Sequence, residues 1–238
     1  MVIAENAELH RAQRTFRRVL DAFARPGTVQ VLEPASANPA RPAALDPVLE
    51  EAVRLFVDQA VRFCVVDVES DAVAAYLTSE THAQRSTLVM AGFVVVPRRA
   101  DAATEREAVA GAFGGTLVSP EKGATVIIGC ARVAAIEAEA AGADAAAPAS
   151  ARDVALSPDA AEQAGLRVFE VSGPGVADVN RFAVDRSAWA EARAARGDEF
   201  PCGIEILLVD AEGRAVAVPR SARVRAVTCV QPASEEVC

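Results

Sequence analysis

Phe200-Pro201-Cys202-Gly203-Ile204-Glu205-Ile206-Leu207-Leu208-Val209, then Asp210-Ala211-Glu212-Gly213, then Arg214-Ala215-Val216-Ala217-Val218-Pro219-Arg220: two apolar runs rich in branched residues flank a short acidic turn closed by a glycine. That pattern predicts a hairpin in a buried sheet. Pro201 and Pro219 set its borders, because proline cannot donate to a β-ladder. By itself the stretch specifies core and no chemistry.

Working outward, Arg223 to Val227 is expected to be a last strand, with a loose polar tail from Gln231 to Cys238. Upstream, Arg186 to Ala195 reads as a helix through Trp189 and Ala192, and Leu166 to Val171 as a strand ending at Ser172-Gly173-Pro174-Gly175. Ala134 to Gln163 is rich in alanine, acidic residues and proline, and is expected to be a low-complexity insertion without a site. Ala124 to Ala131, Gly92 to Val96 and Val61 to Val68 are apolar enough to be strands covered on both faces. Between them, Glu105 to Ala112 and Asp71 to Leu77 read as helices, and Asp46-Pro47 is expected to cap a helix running to about Asp58. Glu8 to Ala24 has Phe16, Val19, Leu20 and Phe23 at helical spacing, which predicts one apolar face. Arg25-Pro26-Gly27 stops that helix, and Thr28 to Leu32 follows as a short strand. Strands alternating with helices, then antiparallel strands near the end, predict an α/β fold: a mixed β-sheet layered with helices in a single domain over residues 1–238.

The composition excludes more than it names. A net charge of −9 argues against a nucleic-acid binder, which needs a basic stripe, and against docking on anionic lipid. No apolar run reaches the eighteen or so residues of a membrane span, so a cytoplasmic protein is expected. Lys122 is the only lysine and therefore the only position for a pyridoxal Schiff base. With two histidines, His10 and His82, and five cysteines lacking C-x-x-C spacing, neither a metal site nor another cofactor is expected, and the thiols read as small hydrophobes. The Gly111–Gly115 cluster lacks the Lys-Ser/Thr of a phosphate loop and reads as a helix cap. No catalytic constellation of residues is written here.

Four segments together carry a resemblance. They are Thr15-Phe16-Arg17-Arg18-Val19-Leu20-Asp21-Ala22-Phe23-Ala24-Arg25-Pro26-Gly27; Gly115-Thr116 with Pro120-Glu121-Lys122-Gly123-Ala124-Thr125; Ser172-Gly173-Pro174-Gly175-Val176; and Phe200 to Leu208 with Val218-Pro219-Arg220-Ser221. In this order they resemble the PhnH family, one component of the bacterial carbon–phosphorus lyase system for phosphonate use. Glu205 stands where the family has aspartate, Ser221-Ala222 where it has two threonines, and Glu80 where a histidine is common.

The resemblance implies a fold similar to pyridoxal-phosphate-dependent transferases without the cofactor, a homodimer, and partnership with subunits G, I and J of the lyase system. That complex transfers a ribose 5-triphosphate from ATP to the phosphonate, and its iron–sulfur component, the last of those three, cleaves the carbon–phosphorus bond. The role implied for this chain is structural. The alternative is a phosphonate- or nucleotide-binding component, in which Arg25, Gly173, Pro174, Gly175 and Arg220 supply charge and backbone amides to the ligand or to a partner. Whether Arg220 meets a ligand, a partner or an internal carboxylate is open from sequence.

Overall fold

A computed structural model describes residues 2–137 and 155–227 of the protein. Its helices are α1 (Val2–Ala24), α2 (Pro47–Arg54), α3 (Ser70–Thr81), α4 (Ala102–Gly111), α5 (Pro158–Gln163) and α6 (Ala188–Ala195). Its strands are β1 (Gln30–Val31), β2 (Arg62–Val65), β3 (Gln84–Arg85), β4 (Phe93–Val96), β5 (Thr125–Cys130), β6 (Val133–Ala135), β7 (Arg167–Ser172), β8 (Asn180–Val184), β9 (Glu205–Asp210), β10 (Arg214–Val218) and β11 (Arg223–Val227).

The stretch quoted above is a hairpin, β9 to β10, with Ile206 opposite Val218 and Val209 opposite Ala215. It sits inside a seven-stranded sheet of order β1-β10-β9-β5-β4-β2-β3. β3, β2, β4, β5 and β9 run parallel, β10 is antiparallel to β9, and β1 is antiparallel to β10 in turn, so the sheet is mixed. Both faces are covered, which is why the strands are apolar without polar alternation. Ile206, Leu208, Val126 and Ile128 face one core, shared with α4 and α6; Leu207, Val209, Ile127 and Val95 face the other, beneath α1, α2 and α3.

A second, antiparallel sheet of order β11-β7-β8-β6 was not expected. Its inner residues Phe169, Val171, Phe182 and Val184 close the first core together with Trp189. Phe169 lies 5.0 Å from Trp189 and 5.6 Å from Phe182, ring centre to ring centre. Its outer residues Val168 and Ala183 form a third, smaller core with Ala161 of α5.

Several expectations are corrected. Phe16 and Leu20 do not join the core: they are 44 % and 51 % exposed, and Thr15, Val19 and Ala22 face the sheet instead. The 16/19/20/23 spacing holds two adjacent stripes, and the smaller side chains let α1 lie close on β10 and β1. The ends of the alanine-rich segment are structured, because Ala134 and Ile136 are buried and α5 begins at a serine cap, Ser157, whose side chain accepts from the Ala160 amide. Its centre, the Gln231–Cys238 tail, Cys229 and Cys238 lie outside the described residues. Asp46 does not cap α2 with its side chain. Its carboxylate instead accepts from Arg98 Nε and Nη2, at 2.9 and 3.1 Å.

Asp210, at the end of β9, ties the two sheets together. Its carboxylate accepts from the amides of Glu212 (3.0 Å) and Arg214 (2.8 Å) in the hairpin turn and of Val133 (3.0 Å) at the start of β6. Gly213 completes the turn at φ +97°, where a Cβ would overlap the Leu32 carbonyl.

Burial pushes the Asp210 carboxyl above its ordinary value, against the pull of those amides and Arg214. A raised folded value makes this residue's contribution to stability full in acid and progressively lost as pH rises through that value. Asp210→Asn should cost about 1–3 kcal/mol. The gap between wild type and variant should narrow as pH rises above about 4, the ordinary aspartate value, as urea titrations at a series of pH values would measure. A gap that widens with pH would contradict this account.

Candidate functional site

The sequence-predicted residues come together around one turn. α1 ends at Arg25-Pro26-Gly27, where the Arg25 carbonyl accepts from the Thr28 amide (3.1 Å) and hydroxyl (2.7 Å). Gly27, at φ +80°, places its amide 3.3 Å from the Ala217 carbonyl of β10. The Gly173–Gly175 loop joins β7 to β8 and is exposed. It is also wedged. A Cβ on Gly175 (φ +83°) would overlap the Ala24 carbonyl, and one on Gly173 (φ +127°) would lie 3.1 Å from the Ser221 carbonyl. Asn180 Nδ2 donates to the Pro26 carbonyl at 2.8 Å, which closes the loop against the end of α1. These glycines thus permit close approach of three chain segments, whatever else their amides bind.

Arg25 lies beside this loop, with its guanidinium 3.3 Å from Asp21 one turn back on α1. Arg220 turns inward. Its Nε donates to Glu205 Oε1 at 2.5 Å, its amide donates to Oε2 at 2.8 Å, and one Nη donates to the Pro120 carbonyl. Both side chains of this pair are about four-fifths buried, at 18 % and 20 % exposure. Gly123 and Gly203 give the pair its room: a Cβ on Gly123 would overlap the Gly203 carbonyl, and one on Gly203 would lie 3.0 Å from Arg220 Cβ. The Gly203 amide donates to the Gly114 carbonyl at 2.7 Å. The loops entering β5 and β9 are therefore stitched to each other and to Arg220.

Two further arginines belong to this neighbourhood, and the sequence pattern did not single out either. Arg193 Nη2 donates to the carbonyls of Pro219 (3.0 Å), Arg220 (3.4 Å) and Ala222 (2.8 Å), fixing the turn between β10 and β11. Burial lowers its pKa from the ordinary arginine value. Arg196 Nη1 donates to the carbonyls of Val109 (2.7 Å) and Ala110 (3.0 Å), tying α6 to the end of α4. Only their helical spacing from Trp189 could have drawn attention to them, and spacing does not reveal a carbonyl partner.

The other chemistry-bearing side chains lie elsewhere in the fold. Among the described residues no group of His, Cys, Asp or Glu side chains is arranged to hold a metal ion. Cys64, Cys130 and Cys202 are free thiols, and burial raises the pKa of Cys64 and, far more, of Cys130. His82 adopts a left-handed conformation at the end of α3, with its amide on the Thr78 carbonyl at 2.9 Å. Buried Glu50 accepts from Arg41, Arg54 and the Tyr76 hydroxyl, and burial with this contact pushes Tyr76 up to about 12. Buried Glu105 accepts from Arg186 Nη1 (2.9 Å) and the Trp189 amide (2.7 Å); its pKa is raised because burial outweighs both. Lys122 is exposed on a 3-10 turn before β5.

Glu205→Gln should destabilise the protein by about 2–4 kcal/mol, since it leaves the mostly buried Arg220 charge without its carboxylate. Gly175→Ala combines a positive φ with a backbone overlap and should cost more than about 1 kcal/mol. Urea midpoints of the two variants check both, and wild-type stability in either would show that the clasp does not matter.

None of the curated proteins compared with the chain matches it. A family model described as bacterial phosphonate metabolism protein (PhnH) matches residues 4–225, which takes in both sheets but for the last two residues of β11, and all four segments. The clasp of Arg25, the Gly173–Gly175 loop, Glu205 and Arg220 is thus built by a member of the PhnH family of bacterial phosphonate metabolism proteins, to which this chain belongs.

Proposed function

We propose that this chain is a non-catalytic, structural component of the carbon–phosphorus lyase core complex, assembling with subunits G, I and J. The observation that carries the reading is the family match over residues 4–225. The geometry of the motif cluster supports it. Arg220, the cation best placed by sequence for a ligand, is held by Glu205 and the Pro120 carbonyl, and the surrounding glycines serve close packing. In this role the chain is required for making the ribose 5-triphosphate derivative of the phosphonate from ATP, while the bond cleavage falls to the iron–sulfur partner. The mixed sheet with helices on both faces is compatible with a pyridoxal-transferase fold that works without its cofactor. A homodimer in the cytoplasm is part of the same reading; no helix among the described residues is long and apolar enough to cross a membrane.

One observation favours the second reading, a phosphonate- or nucleotide-binding component. The Gly173–Gly175 loop is exposed beside Arg25, and the turn holding Arg220 borders it.

A tagged form of this chain, co-expressed with subunits G, I and J, should carry all three through affinity and size-exclusion steps. A clean failure to associate overturns the structural reading. Calorimetric titration of the isolated chain with ATP and with an alkylphosphonate should be silent; saturable heat that Arg25→Ala abolishes would favour the second reading.

A further inference from the structure

Among the described residues, the second sheet ends on a strand paired on one side only. β11 pairs with β7 along its whole length, from Arg223 opposite Ser172 to Val227 opposite Val168. Among the described residues, no other backbone group bonds to Arg223–Val227. The other sheet edges, β1, β3 and β6, are two or three residues long, whereas β11 has five. Short edges discourage pairing with another chain, and a longer one left open invites it.

Charge on the outer face says what would pair. Glu170 of β7 stands opposite Arg181 of β8 on one side and Arg225 of β11 on the other. Its Oε1 accepts from Arg181 Nε (3.0 Å) and Nη2 (2.9 Å), and its Oε2 accepts from Arg225. The row across the strands is therefore cation, carboxylate, cation, and it stops at the edge with the Arg225 side chain 78 % exposed. Arg223 lies two residues earlier on the same face, exposed and without an ion-pair partner among the described residues. Val224, between them, packs against the core on the inner face. Opposite charges directly across a strand pair stabilise it, and like charges destabilise it.

We propose that β11 is a docking edge for an extended segment of a partner protein, which adds a fifth strand to this sheet and places carboxylates opposite Arg225 and Arg223. The unpaired backbone groups of β11 supply affinity, and the interrupted charge row supplies register. A second copy of β11 fits poorly. Antiparallel self-pairing centred on Arg225 sets that residue against its own copy, and centring on Val224 sets Arg223 against Arg225. The partner belongs among subunits G, I and J, so this inference rests on the proposed membership of the lyase complex.

The test compares the full-length wild type with the double variant Arg223→Glu/Arg225→Glu and with Arg62→Glu, an exposed arginine at the start of β2. Wild type and Arg62→Glu should bind subunits G, I and J alike, and the double variant, still folded at the assay temperature although the new carboxylate opposite Glu170 lowers its thermal midpoint, should bind at least about tenfold more weakly. Exchange of the outward-pointing amides of β11, those that do not donate to β7, should slow in the wild type on assembly, a readout independent of any variant. Failure of the wild type to assemble removes the complex and this partner with it. Normal assembly of the double variant, or unslowed exchange in the wild-type complex, overturns the docking edge alone. Slow exchange of those outward-pointing amides in the isolated chain also overturns it, by pointing to a second copy or, if lost on deleting residues 228–238, to the chain's own tail.

Discussion

Much of this molecule hangs on the buried carboxylate of Asp210. It closes the hairpin turn through the amides of Glu212 and Arg214, and it reaches across to the Val133 amide where the second sheet begins. An isolated buried carboxylate is expensive, and this one is tolerated because backbone donors converge on it. The seven-stranded sheet and the four-stranded sheet therefore meet at a polar nail driven through otherwise apolar ground. Phe169, Phe182 and Trp189 fill the volume beside it with aromatic contacts. Packing density and polar satisfaction are needed together there, since neither alone would fix the angle between two sheets.

At the opposite end of the main sheet, the loops entering β5 and β9 are held by a second kind of device. Glycines at 123 and 203 bring backbone into near contact, and Arg220 bridges the loops through Glu205 and the Pro120 carbonyl. Arg193 then pins the following turn through three backbone carbonyls. The segments that mark the PhnH family are thus largely segments that touch one another. This mutual packing leaves the Gly173–Gly175 loop exposed and Arg25 partly exposed beside it.

The main sheet was largely legible in the sequence; of the second, β7 and β11 were and β6 and β8 were not. Val94-Val95-Val96, Val126-Ile127-Ile128 and Ile206-Leu207-Leu208 are unbroken branched runs, the signature of strands covered on both faces. β8 begins Asn180-Arg181 behind a polar loop, and β6 is Val133-Ala134-Ala135 at the edge of an alanine-rich tract. Alanine and asparagine are poor strand formers, so only the pairing of these segments with β7 and with each other makes them strands. Helix α1 failed differently. Its period was right, but Phe16 and Leu20 lie on a stripe beside the one that packs, and periodicity does not rank adjacent stripes. Within the candidate site, residue identities were legible and their partners were not: Glu205 and Pro120 precede Arg220 by fifteen and a hundred residues.

The position of β9 also bears on how the chain reaches its final form. β5 and β9 are immediate neighbours in the main sheet, yet the whole of β6, β7, β8, α5 and α6 lies between them in sequence. Closing so long a loop carries an entropic cost that local contacts do not repay in advance. During synthesis from the amino terminus, β2, β3, β4 and β5 emerge as a parallel sheet whose β5 edge is hydrophobic on both faces. That edge stays uncovered until Glu205 and the residues after it are made. The pairing of β9 with β10 is local, so both strands become available together to cover that edge. Truncation before Glu205 would therefore leave β5 as an apolar edge open to aggregation.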